Sequence, residues 1–275
     1  MRKTIAKIVN MKLFDEMGIY WKEISDQNST ERQIKFIENT LKTEGLVLDL
    51  ACGTGRHLIP LSKEGYSMVG LDLSLNLLRI AKNRSSAIQL VRGDMRFLPF
   101  KSEKFSSVIS MNTSFGYLPS EQDDLKSLNE VNRILKQEGI LIIDVFNRER
   151  LILKNRQNRF SRIEWAFLPA LLKPNRIARW LLFQFFKWKE YPSFFLLQKR
   201  TVDATGERLH DLWVVSDKTN GQIKVFEHIA HLYKFKHLKG LLENAGITIN
   251  QVYGDYERQS FSTNSNRLIL VTDMK

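Results

Sequence analysis

A run of small residues that follows an apolar segment ending in an acid is the part of this sequence best suited to bind a ligand. Val47-Leu-Asp-Leu-Ala-Cys-Gly-Thr-Gly-Arg-His57 reads as a strand, a tight turn and the start of a helix. Gly53 and Gly55 let the backbone approach a ligand closely, where a Cβ atom would clash. The G-x-G-x-x-G pattern of dinucleotide-binding turns is not met, because Arg56 or Leu58 replaces its third glycine. A lysine-serine ending is also missing, so the run does not predict a phosphate-binding loop.

Two more acids and one polar segment follow later apolar runs. Asp72 ends the run Gly70-Leu-Asp72-Leu-Ser74, and Asp94 lies in Arg92-Gly-Asp-Met-Arg96. A carboxylate can accept hydrogen bonds from two adjacent hydroxyls, such as those of a ribose. The polar segment is Asn112-Thr-Ser-Phe-Gly-Tyr117.

The elements that position these residues alternate between strands and helices from Leu46 to Phe146. This alternation predicts βαβ units and a mostly parallel sheet, and ligands bind outside the carboxyl ends of such strands. The predicted strands are 46–51, 66–72, 88–91, 105–111 and 140–146. Before the last strand, Ser120 and Asp123 predict a capping box at a helix start, and Gly139 predicts a left-handed cap just past the helix end.

The pattern changes after Phe146, where a basic and aromatic stretch precedes antiparallel strands. These strands are predicted over 196–202, 209–215 and 223–235, followed by a helix over 236–244 closed by Gly246 and by strands over 247–253 and 267–272. We therefore expect an N-terminal cap and cofactor-binding core over 1–146, and a C-terminal part over 236–275 that completes the core sheet. Between them, 147–235 would be an inserted lid or substrate subdomain, with a basic helical segment over 147–195 and antiparallel strands over 196–235.

The motifs resemble, in order, those of the class I S-adenosylmethionine-dependent methyltransferases. The sequence of Asp49–His57 is typical of their small-molecule branch. Within that branch the sequence is similar to ubiquinone/menaquinone-type and amino-sugar/glycine-type methyltransferases. The resemblance covers residues 15–150 and resumes over 196–275, where the pairs Glu227-His228, Leu232-Tyr233 and Ala245-Gly246 look like later landmarks. It implies an α/β, Rossmann-like seven-stranded methyltransferase sheet with an inserted basic helical segment and antiparallel β-strands after strand five.

The resemblance also implies which residues bind S-adenosyl-L-methionine. In the family, the acid after strand two binds the ribose, the acid after strand three receives the adenine amino group, and the segment after strand four lies beside the methionine end. An N-terminal aromatic pair caps the cofactor in relatives. Carried over, the cofactor-binding residues are Tyr20, Trp21, Asp49, Ala51, Gly53, Gly55, Arg56, Asp72, Leu73, Asp94, Met95 and Asn112. Ala51 departs from the glycine that many relatives have.

Three residues are candidates for catalysis, and no metal site is predicted. Tyr117 at a strand end favours an active-site wall. His228 or His231 could be a general base for the acceptor, but they face opposite sides of one strand, so at most one points into a given cavity. The alternative for both is an ordinary packed or surface histidine.

Charge is concentrated in one part of the chain. The net charge is +12, from 42 basic and 30 acidic residues, and residues 146–200 hold thirteen of the basic and three of the acidic ones. Within this part a helix predicted over Pro174–Glu190 places Arg176, Arg179 and Lys187 opposite an apolar face. It is interpreted either as a lid over the substrate pocket or as an interfacial helix, with 165–192 contacting a membrane or another anionic surface.

Cysteine content and the N-terminal sequence indicate the cellular compartment to expect. The single cysteine, Cys52, excludes an intramolecular disulfide framework and a cysteine-rich zinc site. The charged N-terminus does not resemble a signal peptide, and no run is long enough to span a membrane. We expect a cytoplasmic protein, with peripheral membrane association as the open alternative.

The favoured function is methyl transfer by in-line displacement to an O, N or C atom of a small molecule. One alternative is an RNA methyltransferase that uses the basic insert, although the Pro-Pro-Tyr/Phe that base-amine methylases place after strand four is absent. Another is a non-catalytic cofactor-binding partner subunit. The oligomeric state and the acceptor stay open.

Overall fold

The structure is a computed structural model that describes residues 14–18, 20–24, 30–41, 44–157 and 188–273. Its strands, in chain order, are β1 Leu46–Leu50, β2 Ser67–Asp72, β3 Gln89–Arg92, β4 Phe105–Ser110, β5 Leu135–Phe146, β6 Lys189–Glu190, β7 Phe194–Val202, β8 Arg208–Asp217, β9 Ile223–His231, β10 Thr248–Tyr253 and β11 Arg267–Asp273. Its helices are α1 Thr30–Glu38, α2 Leu58–Lys63, α3 Leu75–Arg84, α4 Glu121–Ile134, α5 Arg148–Gln157 and α6 Phe235–Asn244. Residues 14–18 and 20–24, here called the N-terminal segment, are also helical.

Seven strands form one sheet in the order β10-β11-β5-β4-β1-β2-β3. β1 to β5 pair in parallel, whereas β11 lies antiparallel between β5 and β10. The carboxyl ends of β1, β2, β3 and β4 therefore meet at one edge. The expected fold class, a Rossmann-like sheet with antiparallel strands after strand five, is confirmed.

Apolar layers cover both faces of this sheet, as a parallel sheet requires. On one face, Leu128 of α4 and Leu242 of α6 pack on strand residues such as Ile143. On the other, Phe36 of α1 and Leu58 at the start of α2 pack on residues such as Val47. Burial on both sides fixes the strands, and therefore the loops at their ends.

The remaining strands form a separate antiparallel sheet in the order β6-β7-β8-β9, here called the second sheet. The N-terminal segment packs on it, because Met17 and Tyr20 share an apolar cluster with Phe194, Trp213 and Phe226. This cluster places the N-terminal segment beside the second sheet.

Several predicted boundaries need correction. Ser120 does cap α4, accepting from the Asp123 amide at 3.2 Å, but the left-handed residue that follows is Glu138 (φ 56°) and not Gly139. A Cβ atom at Gly139 would lie 2.7 Å from the Lys136 oxygen, so that position needs glycine for space. The strand predicted over 223–235 ends at His231, because α6 begins at Phe235.

The described residues include only part of the basic segment. Of the helix predicted over Pro174–Glu190, residues 174–187 lie outside the described residues, and Lys189 and Glu190 form β6, paired with Leu196 and Phe195. The helix therefore cannot extend to Glu190. Among the described residues, no helix combines the length and apolar character needed to cross a membrane.

Candidate functional site

A cavity opens at the edge where β1, β2, β3 and β4 end. Most of the residues predicted to bind the cofactor contribute to its lining, together with one of the catalytic candidates. From the loop after β1 and the end of β2 these are Asp49, Ala51, Gly53, Arg56, Asp72 and Leu73. From the later loops and the N-terminal segment they are Asp94, Met95, Asn112, Tyr117 and Trp21. The strand-end geometry that the sequence predicted thus brings these residues together.

The loop after β1 is a tight turn built from left-handed residues. Ala51, Gly53 and Gly55 have φ values of 62°, 54° and 75°. The Cys52 amide donates to the Leu71 oxygen at 3.0 Å, which holds the turn against β2. Gly55 does not line the cavity: a Cβ atom there would lie 3.0 Å from the Ile59 side chain, so this glycine allows close packing of the turn on α2.

Asp49 and Asp72 form a buried acid pair at the centre of this edge. Asp72 accepts hydrogen bonds from the amides of Gly53 (2.9 Å) and Ser74 (2.8 Å). Burial, and then the charge of Asp72, raise the pKa of Asp49 to about 7. Burial also raises the pKa of Asp72. Because Oδ2 of Asp49 has no hydrogen-bond partner among the described residues, the pair retains capacity to bind a ligand.

Asp94 is paired with an arginine, which the sequence did not predict. The Arg96 guanidinium donates to both of its oxygens and also contacts Asp123 at 2.8 Å. Burial acts to raise the pKa of Asp94, but the hydrogen bonds from Arg96 outweigh it and lower that pKa. Arg96 itself lines the cavity, and its position in the Arg92–Arg96 motif was the available signal for it.

Arg56 places a buried cation beside the acids. It is 8% exposed, and burial lowers its pKa. Its Nη1 atom has no hydrogen-bond partner within the described part of the chain. A buried guanidinium with an unpaired donor fits an anionic group on a ligand.

The loop after β4 has an unusual backbone. Asn112 and Thr113 are adjacent residues with φ values of 58° and 63°, and both line the cavity. Asp144, at the end of β5, accepts the Asn112 amide on its side chain and the Thr113 amide on its backbone oxygen, each at 2.8 Å. Arg267 of β11 donates to Asp144 at 2.7 Å and to the Thr113 hydroxyl at 2.8 Å. Sequence reasoning missed Asp144 and Arg267, which are far from the motif along the chain.

The two aromatic residues of the N-terminal pair have different surroundings. Trp21 lines the cavity, but Tyr20 is buried away from it, and its hydroxyl donates to Asp217 of the second sheet at 2.8 Å. Adjacent helical residues point in directions about 100° apart, so the pair cannot face one cavity together. Phe14, seven residues before Trp21, lines the cavity together with it.

Neither histidine candidate lines the cavity. His231 contacts Asp124 at 2.9 Å and the Tyr233 hydroxyl at 3.1 Å, which ties β9 to α4. His228 lies behind the cavity wall, with its ring 5.8 Å from that of Tyr117. Burial, followed by the nearby Asp211 carboxylate, raises the pKa of Tyr117 to about 12, so this wall residue stays neutral.

Comparison with known proteins shows that the chain is similar to methyltransferases. Residues 47–139 match the family described as a methyltransferase domain. The chain is 34% identical over 136 residues to the putative methyltransferase YqeM of Bacillus subtilis, covering 48% of this chain and 55% of that protein. It is 39% identical over 140 residues to a glycine/sarcosine N-methyltransferase of Parasynechococcus marenigrum, covering 48% and 50%. These matches span about half the length of each relative.

The fold is similar over a longer range. The crystal structure of an S-adenosylmethionine-dependent methyltransferase from Clostridium acetobutylicum superposes with a TM-score of 0.69 at 20% identity, over 93% of this chain and 96% of that one. The likeness therefore extends to the second sheet and the C-terminal strands.

Proposed function

We propose that this chain, which belongs to the class I S-adenosylmethionine-dependent methyltransferases, is an enzyme that transfers the methyl group of S-adenosylmethionine to a small molecule. The observation that carries the proposal is the meeting of Asp49, Asp72 and Asp94 with the buried Arg56 around one cavity at the strand ends. Such an edge is where α/β sheets of this kind bind ligands.

The residues around the cavity fit this cofactor. A carboxylate has about four acceptor sites, and the Gly53 and Ser74 amides occupy one on each Asp72 oxygen. Asp72 therefore retains sites for two adjacent ribose hydroxyls. A Cβ atom at Gly53 would lie 3.9 Å from Trp21 Nε1, in the space that both residues line. Glycine thus keeps that space open for a ligand.

Arg56 and Asp94 would bind the two ends of the cofactor. The unpaired Nη1 of Arg56 suits the carboxylate of the methionine end. Asp94 would accept the adenine amino group, although Arg96 already occupies much of its acceptor capacity. Asn112 and Tyr117 would line the space beside the methionine end.

Bound S-adenosylmethionine supplies a methyl group on a positively charged sulfur, which an acceptor can attack in line. The chain's own contribution is then placement and exclusion of water. Holding the reacting atoms about 3–3.5 Å apart supplies most of the rate gain in such a displacement. Phe14, Trp21 and Tyr117 form an aromatic wall on the side of the cavity nearest the second sheet and keep water from the reacting atoms.

Cofactor binding can be tested without knowing the acceptor. We expect the purified chain to bind S-adenosylmethionine and S-adenosylhomocysteine in calorimetry, and Asp72→Asn to weaken both by at least about tenfold, the equivalent of one charge-assisted hydrogen bond of about 1.5 kcal/mol. Glu64→Gln, an exposed carboxylate away from the cavity, is the matched control and should bind like the original chain. No binding by the original chain, or full affinity in a folded Asp72→Asn chain, would refute the proposal.

A further inference from the structure

The N-terminal segment packs on α3, the helix that follows β2. A Cβ atom at Gly18 would lie 3.3 Å from the Ile80 side chain, so the segment and α3 are in close contact. On either side of this contact along the chain, Phe14 and Trp21 line the cofactor cavity. The segment therefore lies between α3 and the cavity, close to the loop in which β2 ends.

The Asp15 carboxylate joins the segment to the residues at the start of α3. Its Oδ1 atom accepts hydrogen bonds from the Ser74 hydroxyl at 2.5 Å and from the Asn76 amide at 3.3 Å. A distance of 2.5 Å is typical of charge-assisted O–H···O bonds, which are stronger than neutral ones. The first turn of α3 contains no acidic residue. Asp15 thus supplies, from another part of the chain, the negative charge that stabilises a helix N-terminus.

Ser74 links Asp15 to the acid that the sequence assigns to the ribose. A hydroxyl has a single hydrogen, and that of Ser74 is donated to Asp15. The same oxygen accepts the Leu77 amide at 3.2 Å, which caps α3. The backbone amide of Ser74 donates to Oδ1 of Asp72 at 2.8 Å. Asp15 therefore fixes the side-chain rotamer of the residue whose amide orients Asp72.

The charge of Asp15 does not itself favour an ionised Asp72. Burial raises the pKa of Asp72, the amides of Ser74 and Gly53 lower it, and the negative charge of Asp15 raises it again. A like charge makes the ionised carboxylate less stable. Any benefit of Asp15 to Asp72 must therefore come from its hydrogen bonds, and a neutral acceptor of the same shape should provide it equally well.

We propose that Asp15 is a positioning residue for cofactor binding, which acts through the Ser74 hydroxyl to hold Asp72 in the orientation that accepts the two ribose hydroxyls. Ser74 and Asp72 line the cavity, whereas Asp15 is not part of its lining. Asp15 thus acts on the ribose only through its neighbours. This inference rests on the proposed function, which supplies the cofactor.

A double-mutant cycle tests the route through Asp72. Affinity for S-adenosylhomocysteine is measured by calorimetry for the full chain, for Asp15→Ala, for Asp72→Asn and for the double variant. We expect Asp15→Ala to weaken binding about fivefold in the original chain but less than about twofold in the Asp72→Asn chain, because coupled residues give non-additive losses. A merely structural role of Asp15 would weaken both chains by the same factor. Equal factors, or no loss in either chain, overturn the proposal.

Two further variants separate the hydrogen bond of Asp15 from its charge and from the packing of the segment. Asp15→Asn keeps an oxygen that accepts the Ser74 hydroxyl and should bind within about twofold of the original chain. Glu23→Ala is the matched control, because Glu23 belongs to the same segment and accepts the hydroxyl and the amide of Ser193, at 2.5 and 3.1 Å, beside the second sheet. It should leave affinity unchanged. If Asp15→Asn or Glu23→Ala loses as much affinity as Asp15→Ala, the proposal is wrong.

Ser74→Ala gives the same test from the other side of the hydrogen bond. It keeps the amide that donates to Asp72 but removes the hydroxyl, so it should reproduce the loss of Asp15→Ala and add nothing when the two are combined. Additive losses would mean that Asp15 acts elsewhere. If Asp15→Ala does not fold, as judged by urea unfolding, Ser74→Ala replaces it in the cycle with Asp72→Asn. Failure of the original chain to bind S-adenosylhomocysteine would instead refute the proposed function, so the two failures are distinguishable.

Discussion

Asp144 is the residue outside the cavity whose loss we expect to damage cofactor binding most. It is fully buried at the end of β5. Its carboxylate accepts hydrogen bonds from the Asn112 amide and the Tyr256 hydroxyl, both at 2.8 Å, and from Arg267 at 2.7 Å. These contacts hold the two adjacent left-handed residues of the loop after β4.

The size of the effect follows from the backbone strain and from the buried ion pair. A left-handed conformation costs about 1–2 kcal/mol for a residue with a Cβ atom, and the β-branched Thr113 tolerates it least. If Asp144→Asn releases about 2 kcal/mol of this strain, affinity for S-adenosylhomocysteine falls by up to about 30-fold. Removing one partner of a buried ion pair also lowers the unfolding free energy by about 3–5 kcal/mol, because Arg267 is only 13% exposed.

The assay combines calorimetry with urea unfolding, and a second substitution separates positioning from general damage. Thr113→Gly removes the Cβ atom that makes the left-handed conformation costly. In the Asp144→Asn background this glycine should restore part of the lost affinity, because the loop then needs less support. A purely structural role of Asp144 would give no such rescue.

Asp211→Asn is the matched control. Asp211 is also fully buried and also pairs with an arginine, Arg200, but it lies in the second sheet. We expect a similar loss of stability and unchanged affinity for S-adenosylhomocysteine. If both variants lose affinity equally, or if Thr113→Gly worsens Asp144→Asn additively, the reasoning about loop strain is wrong.

Three other predictions concern protons, packing and the basic segment. The pKa of Asp49 is raised from 3.8 to about 7, so the folded chain keeps a proton that the unfolded chain releases, and the unfolding free energy falls as pH rises through this window. Urea unfolding at pH values spanning the window should show this slope, and Asp49→Asn should reduce it, with a remainder because burial also raises the pKa values of Asp72 and Asp124. An unchanged slope contradicts the assignment. Tyr20→Phe removes the hydrogen bond to Asp217 and should cost about 1 kcal/mol in urea unfolding, with no change in cofactor affinity. A loss of affinity would mean that Tyr20 caps the cofactor after all. If the basic helix predicted from Pro174 is interfacial, the chain should co-sediment with anionic vesicles. Charge reversal at Arg176, Arg179 and Lys187 should then release the variant from the vesicles. Equal sedimentation of the original chain and the charge-reversed variant argues for a lid.

The sequence predicted which acids meet at the strand ends, because the local order of strands and loops determines this. In consecutive parallel strands the carboxyl ends converge, so Asp49, Asp72 and Asp94 could be placed together from their spacing along the chain. The supporting contacts could not be predicted in this way. Arg267 reaches Asp144 only because β11 inserts antiparallel beside β5, so that a residue 123 positions away becomes a neighbour.

The N-terminal aromatic pair shows a different limit. Tyr20 and Trp21 are adjacent in sequence, and the resemblance to relatives assigned them one role. On a helix they diverge, so Tyr20 bonds to Asp217 whereas Trp21 lines the cavity and stacks on Trp213 at 5.6 Å. One short segment therefore contacts both the cofactor cavity and the second sheet. It follows that a ligand displacing Trp21 also disturbs the packing of the second sheet. The cofactor cavity and the second sheet therefore share this helical segment, which lines the one and packs on the other.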